Sequence, residues 1–328
     1  MTPVKAIVFP EPNRAEIQHY DLPELRPGEM LVRTEFSGVS QGTETWAFTG
    51  RRPEIQFPTV PGYQAVGTIE EVGADISGFE PGQRVFFQRS RLPELFPPTW
   101  MGSHVSRAIV TPDVALVVPE KVSSEAAALS ALSAVSYRGI KMLEIGIGDL
   151  VVVIGQGLIG QGSAQLARLR GATVIATDLS ETRLDLSRRC SADIAINPQK
   201  EDLTRLVRSI KPEGADVIIE TTGRSDVFAL CIDLLGILGQ ILLQGWYPDP
   251  ISFDFHTTHL KRPTIAVTCG YDLEAIRTCL DLMSYGKLDF DGLITHEVPC
   301  DEAPKMYPRF AAGDSQILGT VFNWRESE

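Results

Sequence analysis

The chain has little with which to cross-link itself or hold a metal. Its five cysteines, Cys190, Cys231, Cys269, Cys279 and Cys300, are odd in number and form no CxxC pair. This argues against a disulfide framework and against a four-cysteine zinc lobe, and fits reduced thiols in a cytoplasm. The five histidines, His19, His104, His256, His259 and His296, show no metal spacing. His256 and His259 stand three apart beside Lys261 in FDFHTTHLK. They read either as a ligand pair on one turn or, more plainly, as a polar loop near a cofactor. Basic charge is also scarce: 30 Lys and Arg against 42 Asp and Glu give a formal net charge of -12. Such a surface repels phosphate backbones and anionic lipid, so neither nucleic acid nor membrane is an expected partner. No apolar run reaches the roughly 18 residues of a membrane span. The opening MTPVKAIVFPEPNR lacks a signal-length apolar run, and a cytoplasmic location is expected. Internal repeats and low-complexity segments are missing as well.

What is present is an ordinary globular composition, 43% hydrophobic and 22% charged over 328 residues, a length that favours two domains. Up to about Pro119 short β-type runs (Val4 to Phe9, Met30 to Phe36, Ala65 to Val72, Arg84 to Gln88, Val105 to Thr111) alternate with Pro-Gly turns. After Pro119 the texture changes. Ser123 or Ser124 is placed to cap a helix through AAALSALSAVSYRGIKML, and the continuous run from Leu150 to Ile154 reads as a strand buried on both faces. Strands and helices then alternate to Tyr285, with Gly286 as a helix C-terminal glycine. That is the pattern of a doubly wound parallel sheet. Leu293 to Trp324 returns to irregular β-type sequence. The expected architecture is α/β: a β-rich domain from residues 1–122 and 293–328, and a Rossmann domain from 123–292.

Within VVVIGQGLIGQGSAQLARLRGATVIATD, Gly155, Gln156, Gly157, Leu158, Ile159 and Gly160 form a GxGxxG that follows a predicted strand and opens a predicted helix. The first glycine permits the tight turn, the second lets backbone approach a pyrophosphate, and the third lets helix and strand pack closely. The helix N-terminus then offers free amides and positive dipole to the phosphates. Asp178, at the end of the next strand, is placed to accept hydrogen bonds from ribose hydroxyls and to repel a 2′-phosphate, which favours NAD over NADP. Arg183 could instead reach such a phosphate or simply be solvated. Glu220, Thr221, Thr222 and Gly223 end a later strand, either lining the nicotinamide or forming a plain strand-end turn.

The segments SGVSQGTE (Ser37 to Glu44), VPGYQAVGTIEEVG (Val60 to Gly73) and FEPGQRVFF (Phe79 to Phe87) resemble the GroES-like domain of the medium-chain dehydrogenase/reductase superfamily. The whole chain is similar to that superfamily. SGxSxGTE, PGYxxVG and the tail GLITHEVPCDEAPKMY are most like the bacteriochlorophyllide a dehydrogenase group. The resemblance implies a nicotinamide-dependent oxidoreductase and a homodimer joined along the edge strand Thr264 to Thr268. It also implies that three zinc-ligand positions of the metal-dependent members are taken by Ser40, by Tyr63 with Gln64 beside it, and by about Ala131. A hydroxyl, a phenol and a methyl do not replace thiolate, imidazole and thiolate, so no zinc is expected.

Without a metal, an alkoxide formed on alcohol oxidation needs another donor or base. The candidates are Tyr63, Ser40, Glu44 and His104. An unassisted tyrosine has a pKa near 10, so Tyr63 requires a neighbour: a hydroxyl relay or a cation such as Lys261. Each has a plainer reading: Tyr63 as a space filler, Ser40 on a turn amide, Glu44 as a loop brace, His104 as an exposed loop imidazole. Trp46, Trp100 and Tyr247 are candidate walls for a small-molecule substrate. The favoured reaction is hydride exchange between NAD and a secondary alcohol or ketone of cyclitol, polyol or hydroxyethyl-chlorin type. The alternatives are an NADPH-dependent quinone or enoyl reductase, and a non-catalytic dinucleotide-binding protein.

Overall fold

The computed structural model describes residues 3–325. Contacts divide the chain into two compact units, one running to Ala131 and resuming at Ile294, the other spanning Leu132–Leu293. The sequence reading begins the second unit at Ser123. The reason for the later boundary is local. The expected single helix is two, Ser124–Ala127 and Ser130–Lys141. The first is fastened to the β-rich unit: Ser124 Oγ donates to Glu35 Oε2 at 2.7 Å, and Arg84 donates to Ser124 Oγ and to the Pro119 and Val122 carbonyls.

In the first unit a sheet runs in the order Ile294–Pro299, Gly319–Asn323, Met30–Gly38, Ala65–Val72, Arg84–Phe87, Ala115–Val117, with Arg107–Val110 also paired to Met30–Gly38. A separate antiparallel pair joins Pro3–Val8 and Glu16–Asp21. Alternation along Met30–Gly38 (MLVRTEFSG) sends Met30, Val32 and Phe36 inward, the two-residue period of a half-buried strand. The stretch after Leu293, expected as irregular β, holds two strands flanking a helix, Met306–Ala311. Its residues Met306, Tyr307, Phe310, Phe322 and Trp324 complete a core with Ile7, Phe9 and Phe48 from the chain's first 50 residues.

The second unit is a six-stranded parallel sheet ordered Ile194–Ile196, Thr173–Thr177, Leu150–Ile154, Ala215–Glu220, Leu235–Leu243, Thr264–Val267. All five residues of Leu150–Ile154 are buried, as a central parallel strand covered on both faces requires. The order reverses between Leu150–Ile154 and Ala215–Glu220, the switch point at which such sheets bind ligands beyond the strands' carboxyl ends.

Candidate active site

At that switch point the GxGxxG turn has the geometry its glycines require. Gly155 has φ +91°, a left-handed conformation, and a Cβ there would meet Thr221 Oγ1 at 2.7 Å. A Cβ on Gly160 would lie 1.9 Å from the Gly155 carbonyl oxygen. Gly157 is different: a Cβ there would meet nothing within 4 Å. Its missing side chain serves no packing need of the protein and leaves room for a ligand to approach the backbone. Gly157 N-caps the 12-residue helix Leu158–Leu169, and no side chain caps that end. Its amides therefore face outward with the helix dipole behind them, an arrangement that fits a pyrophosphate. Leu158 is buried and Ile159 half-buried on the first turn. Gln156 contributes only main chain: its side chain turns inward, donating to the Val153 and Gly155 carbonyls and accepting from Ser187.

Asp178 follows Thr173–Thr177. Its Oδ2 accepts from the Gln156 amide at 2.7 Å and its Oδ1 from the Ser180 amide at 2.8 Å. Two main-chain donors hold the carboxylate beside the glycine turn. Arg183 Nη1 lies 3.8 Å from Oδ2, so the arginine that could reach a 2′-phosphate stands against the acid that would repel one. Thr177 Oγ1, one residue earlier, is buried without a hydrogen-bond partner among the described residues.

Thr221, Thr222 and Gly223 end the neighbouring strand. Thr221 Oγ1 donates to the Ile154 and Gly155 carbonyls, tying this strand end to the glycine turn. Gly223 (φ +70°) lies against the main chain of Trp246. Glu220, read from the sequence only as part of this strand end, organises the turn. It is fully buried and accepts from the Thr222 amide at 2.7 Å, the Thr222 hydroxyl, the Gly223 amide and the Tyr247 hydroxyl. An acid closing the apolar strand VIIE is the signal that could have revealed it. Tyr247, read as a substrate wall, spends its hydroxyl there, and burial and then the carboxylate raise its pKa far above the ordinary phenol. Lys261, read as a cation for Tyr63, is engaged within its own unit. It lies on a helix, Phe255–Lys261, where a loop was expected, and donates to the Ile232, Asp233 and Leu235 carbonyls at the end of helix Phe228–Leu234. His256 and His259 lie on that same helix, and among the described residues no three His, Cys, Asp or Glu side chains are grouped to hold a metal.

In the first unit, Ser40, Glu44, Tyr63 and His104 come together. SGVSQGTE, read as a turn, runs into the helix Gln41–Phe48. Ser40 is its N-cap, yet the Ser40 hydroxyl makes no capping bond. Glu44, in the first turn, reaches back to accept from the Ser40 amide at 2.8 Å. The Ser40 hydroxyl is left for Tyr63. Tyr63 is 6% exposed, and burial pushes its phenol up to about 12 against the opposing pull of hydrogen bonds from Ser40 and Thr43 and of the Arg52 charge, with Glu44 adding to the rise. Its ring packs on Trp100 at 5.6 Å, and the Arg52 guanidinium lies over the other aromatic at 5.3 Å. Ala131, at the remaining zinc-ligand position, is fully buried. Trp46 is half-buried beneath the Arg51 guanidinium.

His104 is not the exposed loop imidazole of the plainer reading. It is fully buried, with Nε2 2.9 Å from Glu44 Oε2 and Nδ1 2.7 Å from Ser37 Oγ. Gly62 makes room for it: φ there is +83°, and a Cβ would fall 2.7 Å from the imidazole. The PGY turn that presents Tyr63 is therefore shaped around His104. Tyr307 Oη donates to the same Glu44 Oε2 at 3.0 Å, and Trp324 Nε1 donates to Ser37 Oγ at 2.8 Å. Glu44 and His104 have no exposed surface. They brace the loop that carries Ser40 and Tyr63. Beside them Gln64 is fully buried, with neither side-chain amide atom partnered among the described residues.

A GroES-like unit bearing this hydroxyl cluster and a parallel sheet bearing a dinucleotide turn define a nicotinamide-dependent oxidoreductase. The comparisons agree. Residues 26–102 match the family model of the alcohol dehydrogenase GroES-like domain, and residues 159–285 match that of zinc-binding dehydrogenases. The 2-desacetyl-2-hydroxyethyl bacteriochlorophyllide A dehydrogenase of Cereibacter sphaeroides is 29% identical over 98% of both chains. The sorbitol dehydrogenase of Halalkalibacterium halodurans is 27% identical over 95% of this chain and 97% of that one. An Escherichia coli oxidoreductase of unknown specificity shares the fold with a TM-score of 0.89 at 20% identity, covering 98% of this chain and 99% of the other. The chain belongs to the medium-chain dehydrogenase/reductase superfamily and is an enzyme of its alcohol dehydrogenase type, close to the bacteriochlorophyllide dehydrogenase group.

Proposed function

We propose that this enzyme exchanges a hydride between NAD and a secondary alcohol or ketone without zinc, with Tyr63 handling the proton. The observation that carries the reading is the Tyr63 phenol hydrogen-bonded to Ser40 and Thr43, with Ser40 and Tyr63 at positions that the family resemblance matches to zinc ligands. Gly155–Gly160 and Asp178 would hold the dinucleotide, which supplies the hydride chemistry. The work left to the protein is one proton and one developing charge on the substrate oxygen. A phenol raised to about 12 keeps its proton at neutral pH, ready to donate to a ketone oxygen. In the oxidation direction the phenol would hand its own proton through Ser40 or Thr43 to solvent water as it takes the substrate's.

Two features support NAD over NADP: the Asp178 carboxylate held beside the glycine turn, and Arg183 drawn toward it. The substrate class follows from chemistry shared by relatives. Sorbitol, L-threonine, erythritol or L-threitol, and a hydroxyethyl side chain all bear a secondary hydroxyl. The homodimer expected from sequence would use Thr264–Val267, which ends the parallel sheet with Ile265 and Val267 exposed. A monomer mass by light scattering at micromolar concentration would count against it.

The test is direct. Purified protein should oxidise a panel of secondary alcohols with NAD, carry no stoichiometric zinc by elemental analysis, and keep its turnover in a strong chelator. One tightly held zinc per chain, or activity lost to the chelator, would overturn the metal-free reading.

A further inference from the structure

The hydrogen bonds beneath the Ser40–Tyr63 pair have a direction, and donor chemistry assigns it. An indole N–H can only donate, so the Trp324 contact places its hydrogen on a lone pair of Ser37 Oγ. Glu44 Oε1 accepts from the Ser40 amide, and Oε2 accepts from the Tyr307 hydroxyl and faces His104 Nε2. A carboxylate only accepts, so Nε2 carries the imidazole proton. Ser37 is fully buried, and its hydroxyl has no third partner among the described residues. Its own hydrogen can go only to His104 Nδ1. If Nδ1 were protonated too, that hydroxyl hydrogen would be buried with no acceptor, an unmade bond that the interior penalises.

We infer that Trp324, Ser37, His104 and Glu44 form a hydrogen-bond chain polarised from the C-terminal strand toward the Ser40 loop, and that Trp324, Ser37 and Tyr307 are positioning residues for the Ser40–Tyr63 hydroxyl pair. The inference rests on the proposed role of Tyr63. Each link removes one freedom. Trp324 orients the Ser37 hydroxyl, Ser37 and Glu44 hold the imidazole between them, and the imidazole with Tyr307 pins one carboxylate oxygen. The other oxygen takes the Ser40 amide and so fixes the backbone that carries the Ser40 hydroxyl. The Ser40 hydroxyl is thereby held against the phenol. Residues 307 and 324 thus reach the chemistry without touching a substrate.

The test uses full-length protein with 15N-labelled histidine, the His104 signals being those missing from a His104→Asn protein. The expected spectrum has one protonated nitrogen and one bare, hydrogen-bonded nitrogen; the bare nitrogen should shift in Ser37→Ala. Trp324→Phe and Tyr307→Phe should each lower turnover by about tenfold to a hundredfold through misplacement, with NAD affinity unchanged. In a Tyr63→Phe background the same substitutions should cost little more, because the group they position is already gone. Two protonated nitrogens on His104 would overturn the polarity. Wild-type turnover in Trp324→Phe and Ser37→Ala, or losses that add fully to that of Tyr63→Phe, would overturn the positioning role. Should Trp324→Phe not fold, Ser37→Ala decides both points. If Tyr63→Phe alone keeps full activity, the proton role of Tyr63 falls, whereas the His104 spectrum still judges the chain.

Discussion

The two halves of the chemistry are built from opposite materials. The dinucleotide turn is made of backbone and of missing side chains: Gly155 for its left-handed φ, Gly160 for close approach, Gly157 for empty space, with Asp178 held by two amides. The cluster proposed to handle the proton is made of side chains closed on one another, from Ser37 through Glu44, Tyr63 and His104 to Tyr307 and Trp324. The first occupies 24 consecutive positions and tolerates change around it. The second spans nearly the whole chain, and each member depends on the others. A backbone site resists substitution by steric exclusion, whereas a side-chain network resists it by leaving buried partners unsatisfied.

The largest effect should come from the network. Glu44→Ala strands three buried donors and is expected to cost about 3–5 kcal/mol of stability, on the scale of about 1–3 kcal/mol for each buried group left without its hydrogen bond. Urea melts read this directly, and a loss below 1 kcal/mol would show that the network is not closed. Tyr63→Phe comes next. It should lower turnover on the order of a hundredfold with NAD affinity barely changed; a Phe protein with most of its activity would make Tyr63 a space filler.

The same residue sharpens the comparison at high pH. The folded-state phenol of Tyr63 lies above its ordinary value near 10, at about 12. Its contribution is therefore complete below about pH 10 and fades as pH rises toward 12. Tyr63→Phe should flatten that part of the alkaline stability loss, measured by denaturant titration between these pH values.

The dinucleotide side should answer in binding and less in folding. Asp178→Ser is expected to weaken NAD relative to NADP by about 1–3 kcal/mol, read by paired titrations of both cofactors. A wild-type preference for NADP would refute the assignment. The smallest effect on stability is expected from Gly157→Ala, whose new methyl meets no protein atom within 4 Å. It should melt like the parent and bind NAD more weakly, whereas Gly160→Ala, forced against the Gly155 carbonyl, should lose both folding stability and binding.

By itself the amino-acid sequence determined the parallel sheet, the glycine turn and Asp178, because these depend on local periodicity and on residues a few positions apart. Burial of Leu150–Ile154 and the φ of Gly155 follow from residue type alone. It also marked Ser40, Glu44, Tyr63 and His104 as candidates, but their roles were left open. Only the tertiary structure separated them, placing the hydroxyls of Ser40 and Tyr63 together and sinking Glu44 and His104 into a closed network. Lys261, a cation on paper, proved to be a helix cap, since three carbonyls converge where it ends. Tyr307 and Trp324 escaped notice, and Glu220 was legible only as a strand end, because a buried polar group is recognised by its partners. Those of Tyr307 and Trp324 lie more than 250 residues away along the chain, a separation that no local pattern spans.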